Sequence, residues 1–266
     1  MPLTFTHPLA VLPLRRLCPK WLNFPALVIR SMTPDFVYYL HQFEAARFAH
    51  SIAGSFMLCL SDGLLALGAF YLLRPSLAFG LPQPHRGALL PIAASCPGFD
   101  LRFLSGAAVS VLLGAWTHLA WDSLTHADGW VVQQFAILRE SILQVGATHL
   151  RLYYILQHLS SFVGGALLTF GYVRWLRDQR RLEPAPHDVI SDHQRYLLLG
   201  VLTFVAFAIA VPLAIRTASH YDGFTASRVS VFRTGVYAIA CFVPAYVLYA
   251  LLLYAARLKT RARGRR

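Results

Sequence analysis

Charge is scarce in this chain. Of 266 residues only 14% are Asp, Glu, Lys or Arg, against roughly 25% in an average soluble domain. A soluble surface cannot be covered with so little. Acid is scarcer than base: 12 Asp and Glu stand against 24 Lys and Arg, a formal net charge of +12. Lysine is almost missing, with Lys20 and Lys259 alone, so the positive charge is arginine. Cys18, Cys59, Cys96 and Cys241 are the only cysteines, and none forms a Cys-x-x-Cys pair. A disulfide framework and a thiolate metal site are therefore excluded, and the four read as small buried hydrophobes. There is no Gly-rich phosphate loop, no internal repeat, and no elbow motif around Ser51 or Ser160. These absences argue against a nucleotide enzyme, a solenoid and a Ser-His-Asp hydrolase. An ordinary signal peptide is missing too. Pro2, Pro8, Pro13, Pro19 and Pro25 punctuate the first 25 residues, which read as part of the mature protein.

Apolar residues are abundant. Hydrophobic types make up 56% of the chain and the mean hydropathy is +0.51. Disorder is excluded by the same figures, and the chain reads as an integral membrane protein. A membrane helix needs about 20 apolar residues, each rising about 1.5 Å. Five runs meet that length: Ser51–Leu73, interrupted by Asp62, Phe103–Trp121, Ile155–Val173, Tyr196–Ile215 and Gly235–Ala256. The predicted fold is an all-α polytopic bundle over 51–256. A Pro-punctuated segment over 1–50 precedes it and a basic tail over 257–266 follows. Within the first segment, Leu22–Leu40 contains Arg30, Pro34 and Asp35, and it is expected to break at Pro34 or re-enter the bilayer. Gly164-Gly165 reads as a close helix contact.

Arginine bias orients the bundle. The tail, with Arg257, Lys259, Arg261, Arg263, Arg265 and Arg266, and the segment Arg174–Arg195 are expected in the cytoplasm. Counting back through five spans puts Ala127–Tyr154 and His50 outside and Arg74–Arg102 inside. His7 and Asp35 share the face of His50 only if Leu22–Leu40 is re-entrant. A basic tail can bind nucleic acid. This one directly follows a long apolar run, so membrane lipid is the expected partner and nucleic acid is not.

Ionisable residues at membrane depth are candidates for function by default. His118, Asp122 and His126 are spaced i, i+4, i+8. Four helical residues turn about 400°, so all three share a stripe. Imidazole, carboxylate, imidazole on one face is metal-ligand spacing. The competing reading is a His–Asp hydrogen-bond pair at a helix end, with Asp122 orienting His118. His7, Asp35 and His50 are further donors, and with them the set suits Zn, Mn or Fe. Gln157 and His158 could line the same cavity, or simply bond between helices. Asp62 sits mid-run, as a proton relay or an interhelical partner. His149, His220 and Asp222 fall in loops. His187, Asp192 and His193 fall in the segment expected in the cytoplasm and are left out of the site.

The opening Met1–Leu14, with His7, resembles a bacterial membrane family known as domain of unknown function 4184. So do Ser31-Met32-Thr33-Pro34-Asp35-Phe36, His50-Ser51, the stretch Thr117–Trp130, and Gln157-His158. The resemblance covers most of the chain. The order His7, Pro34-Asp35, His50-Ser51, His118-x3-Asp122 is more distantly similar to membrane-bound metal-dependent hydrolases. Their ligand pattern is in turn similar to that of zinc-dependent phospholipase C and nuclease P1. That second likeness implies metal ligation by His7, Asp35, His50, His118 and Asp122, with His126 beside them. Asp62, and Phe48-Ala49 before His50, depart from it. The expected activity is metal-dependent hydrolysis of a phosphoester or lipid-like envelope substrate in a bacterial inner membrane. A divalent ion such as Zn or Mn would be the cofactor, with Asp35 or Asp122 as general base if not a ligand. The alternative is a transport or assembly factor with a structural or proton-carrying cluster.

Overall fold

The computed structural model describes residues 4–17, 21–39, 42–95, 98, 100–145, 148–179 and 189–263. Pro2, Cys18, Pro19, Lys20, Cys96, Arg180, Arg181, His187, Arg265 and Arg266 lie outside them. A 3₁₀ turn at Thr4–Thr6 leads into α1 (Pro8–Leu17). Next come α2 (Phe24–Met32), a 3₁₀ turn at Thr33–Asp35, α3 (Phe36–Tyr39), α4 (Phe43–Ala49) and α5 (Ile52–Gly54). A π-turn at Ser55–Cys59 runs on into α6 (Leu60–Gly80). Then follow α7 (His85–Ala94), α8 (Leu101–Thr125), α9 (Trp130–Gln134), α10 (Ala136–Arg139), β1 (Ser141–Val145) and β2 (Thr148–Arg151). The chain ends in α11 (Leu152–Gln179), α12 (Asp192–Ala218) and α13 (Gly223–Arg263). Among the described residues the regular structure is helical apart from one antiparallel ribbon, β1 with β2.

Among the described residues four helical stretches are long and apolar enough to cross a membrane: Ile52–Gly80, Leu101–Gln134, Asp192–Ala218 and Gly223–Arg263. This is a multi-pass membrane protein. The expected fifth span, Ile155–Val173, is not among them. It does lie in a continuous 28-residue helix, α11. Gln157, His158, Ser160, Ser161 and the Gly164-Gly165 pair dilute that helix below the apolarity of a lipid-exposed span. Leu22–Leu40 breaks at Pro34, as its sequence predicts. Asn23 caps α2 by accepting from the Ala26 N–H at 3.0 Å. Pro25 sits in the first turn, where its missing N–H costs nothing. Pro34 has no N–H to give the Arg30 carbonyl, which accepts from the Thr33 hydroxyl at 3.3 Å instead, and α2 tightens into the Thr33–Asp35 turn. Nine residues of α2 reach only about 14 Å and cannot cross.

The chain divides into two compact units, Met1–Gly68 with Pro97–Tyr172 and Ala69–Cys96 with Val173–Arg266. In the first, α2 packs along α8. Val11, Ala26, Leu27, Ala107, Val111 and Ala115 are fully buried there. Small residues let the backbones close up: a Cβ added at Gly114 would stand 2.6 Å from the Leu27 carbonyl oxygen. Asp100 caps α8 by accepting from the Phe103 N–H at 2.7 Å. In the second unit, α12 and α13 form a hairpin. The i, i+4 stripe Ala206, Ala210, Ala214, Ala218 is buried, while Phe204 on the same helix is 74% exposed. Large apolar side chains outward and small ones inward is the arrangement lipid permits, since tails are as apolar as Phe. Cys59 is buried with its Sγ against the Ala49 carbonyl, Cys241 is half-buried, and both are free thiols.

Candidate metal centre

The centre lies within the first unit and is built from three places in the chain. α8 carries His118 and Asp122 one helical turn apart. The 3₁₀ turn that Pro34 forces after α2 presents Asp35. The turn between α4 and α5 presents His50, just before Ser51 caps α5 by accepting from the Gly54 N–H at 2.9 Å. Each of the four offers one ligand atom, and these atoms all lie within 4.8 Å of one another. His118 Nε2 stands 3.1 Å from Asp122 Oδ2, 3.3 Å from His50 Nε2 and 3.5 Å from Asp35 Oδ1. His50 Nε2 stands 3.3 Å from Asp35 Oδ1 and 3.7 Å from Asp122 Oδ2. Ligands about 2.0–2.1 Å from one tetrahedral ion are separated by about 3.3–3.4 Å. Five edges of this set, 3.1 to 3.7 Å, bracket that value.

Orientation supports the same reading. His118 is fully buried, and its Nδ1 lies 2.8 Å from the Ser31 carbonyl oxygen. A carbonyl only accepts, so Nδ1 carries the proton and the Nε2 lone pair faces Asp35, His50 and Asp122. That is how a protein commonly fixes the tautomer of a ligating histidine. Asp35 is held likewise: its Oδ2 accepts from the Thr4 hydroxyl at 2.7 Å, and Thr4 in turn accepts from the Tyr39 hydroxyl at 3.3 Å. Burial alone would raise the Asp35 pKa. With a proton on His118 Nε2 in the ion's place, charge and hydrogen bonds from His118 and His50 outweigh it and hold the carboxyl well below the usual range.

Two further predicted ligands stand beside the four. His7, 1% exposed, stacks on His118 with ring centroids 3.8 Å apart. Its Nε2 lies 3.8 Å from Asp122 Oδ1. Burial, with His118 adding to it, lowers its pKa to about 2, so the ring is neutral and its lone pair is available. His126 Nδ1 lies 3.5 Å from Asp122 Oδ1. The expected stripe 118/122/126 stops one step short, because α8 ends at Thr125 and His126 is extended, with φ −111° and ψ 146°. Its side chain is 36% exposed.

Other candidates go elsewhere. His158 points its Nδ1 at the Tyr154 carbonyl of its own helix, at 2.9 Å. His149 pairs with Ser141 across the ribbon. Gln157 does reach the cluster, with its amide nitrogen 3.0 Å from His126 Nε2. The Ser31 carbonyl, Thr4 and Tyr39 were not predicted to take part. A backbone acceptor has no residue signature, and Thr4 had only its place in the opening stretch to mark it.

The long apolar helices and this buried His/Asp set define a polytopic membrane protein with a candidate metal centre. The chain belongs to the family described as domain of unknown function DUF4184, whose sequence model matches residues 1–256. No curated protein and no solved structure matches it. Nothing in these comparisons supports the more distant likeness to membrane-bound metal-dependent hydrolases.

Proposed function

We propose that this protein is a membrane-embedded metalloenzyme. In this reading Asp35, His50, His118 and Asp122 hold a divalent ion, Zn or Mn, and the protein hydrolyses a phosphoester or ester of lipid-like character. The observation that carries the reading is the set of five donor separations near a tetrahedral edge, with the His118 lone pair aimed inward by Ser31. A bound divalent ion would polarise the scissile group's oxygen and lower the pKa of a bound water towards neutrality. With Asp35 and Asp122 both serving as ligands, neither is left free to act as general base. The membrane is taken to be a bacterial inner membrane with the C-terminal tail cytoplasmic.

One observation favours a second reading, a structural or proton-carrying centre in a transport or assembly factor. Four protein ligands close a tetrahedral site, whereas catalytic zinc keeps a position open. The test is metal analysis of full-length protein extracted in mild detergent, with hydrolysis of phosphoester and carboxyl-ester lipids before and after metal removal and restoration. Metal-dependent turnover supports the enzyme. Bound metal without turnover of any such lipid favours the second reading. Protein that carries no metal and takes up none from added Zn or Mn overturns the centre itself.

A further inference from the structure

The carboxylate of Asp122 has two faces, and each meets a different pair of histidines. Oδ2 turns to His118 and His50, at 3.1 and 3.7 Å. Oδ1 turns to His126 and His7, at 3.5 and 3.8 Å. The rings of His7 and His118 lie nearly parallel, with an interplanar angle of 19° and centroids 3.8 Å apart. His118 Nε2 faces one oxygen of this carboxylate and His7 Nε2 the other. Paired metal ions in hydrolytic sites sit about 3.5–4 Å apart, the separation of these two rings.

His7 is the anomaly that a single ion leaves unexplained. It is buried among polar groups, yet among the described residues neither of its ring nitrogens makes a hydrogen bond. A buried polar atom without a partner is costly, and an ion is one way such an atom is satisfied. It does not join the four-donor set, because Asp122 turns its other oxygen to it.

We propose that the centre is dinuclear. Asp122 bridges the ion held by Asp35, His50 and His118 to a second divalent ion held by His7 Nε2, His126 Nδ1 and Asp122 Oδ1. This rests on the metal-centre reading above and extends it. The second site has three protein donors and therefore an open position, the arrangement that distinguishes catalytic from structural sites. It also lies on the half-exposed side of the cluster, where His126 meets solvent, so a water or a substrate oxygen reaches it first. Gln157 is the orienting partner. With its amide turned over, Oε1 accepts from the His126 Nε2–H, and the Nδ1 lone pair turns to the ion in place of the Thr125 hydroxyl, 3.4 Å away. The two amide orientations differ only in which end of the same group is called oxygen.

The experiment is loading of the full-length protein with Mn in detergent, read by metal content and by electron paramagnetic resonance. About two ions per chain and an exchange-coupled spectrum are expected, since two Mn ions bridged by one carboxylate interact. His126→Ala, at a half-exposed position where folding is least disturbed, should bring the content to about one and leave the spectrum of an isolated ion; His7→Ala should do the same. One ion in the wild-type protein, unchanged in both variants, overturns the second site and leaves the first standing. A second ion that persists in both variants overturns it as well. No ion in the wild type overturns the metal centre as a whole, so the two failures are distinct.

Discussion

Removal of the His118 side chain tests the centre most directly. Its Nε2 lies within 3.5 Å of a donor atom on each of Asp35, His50 and Asp122, so His118→Ala takes away the donor nearest the middle of the set. Even a residue that only supports a ligand changes metal affinity by about 10–100-fold, so loss of a ligand should cost at least the upper figure. At free metal 100 times the wild-type Kd, binding stabilises the native state by about 2.7 kcal/mol. A variant weakened 100-fold gains only about 0.4 kcal/mol at the same concentration, by the same relation. The metal-free variant should itself be less stable, because the Ser31 carbonyl loses its partner, at about 1–3 kcal/mol. The spans should stay folded, since packing and backbone hydrogen bonding hold them rather than the ion. The assay is denaturation in detergent with and without Zn, alongside metal analysis. Equal stabilisation of variant and wild type by Zn would refute the ligand role. A loss of stability in the variant, with a wild type that never responds to metal, would make His118 and Asp122 a structural pair.

Three further outcomes are expected. Gly114→Ala puts a Cβ 2.6 Å from the Leu27 carbonyl and 2.9 Å from the Arg30 Cβ. It should destabilise the α2–α8 contact by about 1–3 kcal/mol and weaken metal binding through the displaced Ser31 carbonyl, whereas Gly68→Ala, with nothing within 4 Å, should be silent; thermal unfolding of both variants decides. The metal-free protein should lose stability as pH falls. His7 takes up a proton near 6.5 when unfolded but only at about 2 when folded, so between those values the unfolded chain binds more protons and acid favours it, by up to about 1.4 kcal/mol per pH unit. Asp35, held below its ordinary range, acts in the same direction; equal stability at pH 7 and pH 5, or an unchanged slope in His7→Leu, would count against it. The Arg-rich tail and the Arg174–Arg195 segment should be cytoplasmic, so a phosphatase fused to the C-terminus should be inactive, and activity in the periplasm would reverse the orientation.

Membrane character was legible because it is a property of composition and run length. Lipid requires about 20 apolar residues per crossing whatever packs around them, and four such stretches stand where the apolar runs do. The break of Leu22–Leu40 was legible for a local reason as well, since Pro34 lacks the N–H that would have continued α2. The fifth span was misjudged for the opposite reason. The polar residues of α11 tolerate burial only when neighbours supply partners, as Gln157 finds in His126, and no window of sequence contains that neighbour.

For the site, helical periodicity alone placed His118 and Asp122 on one face, because four residues make about one turn. That His126 leaves the stripe was decided where α8 ends. His50 and Asp35 come from segments 68 and 83 residues before His118 along the chain, and no periodicity relates them; residue type and resemblance could nominate them but not place them. What brought them within 4.8 Å was the packing of α2 on α8 through Gly114, the turn at Pro34 and the cap at Ser51. The sequence determined the solvent this protein folds in and the chemistry of its donors. Only the tertiary structure decided which oxygen of Asp122 faces which histidine, because that depends on contacts between side chains far apart in the chain.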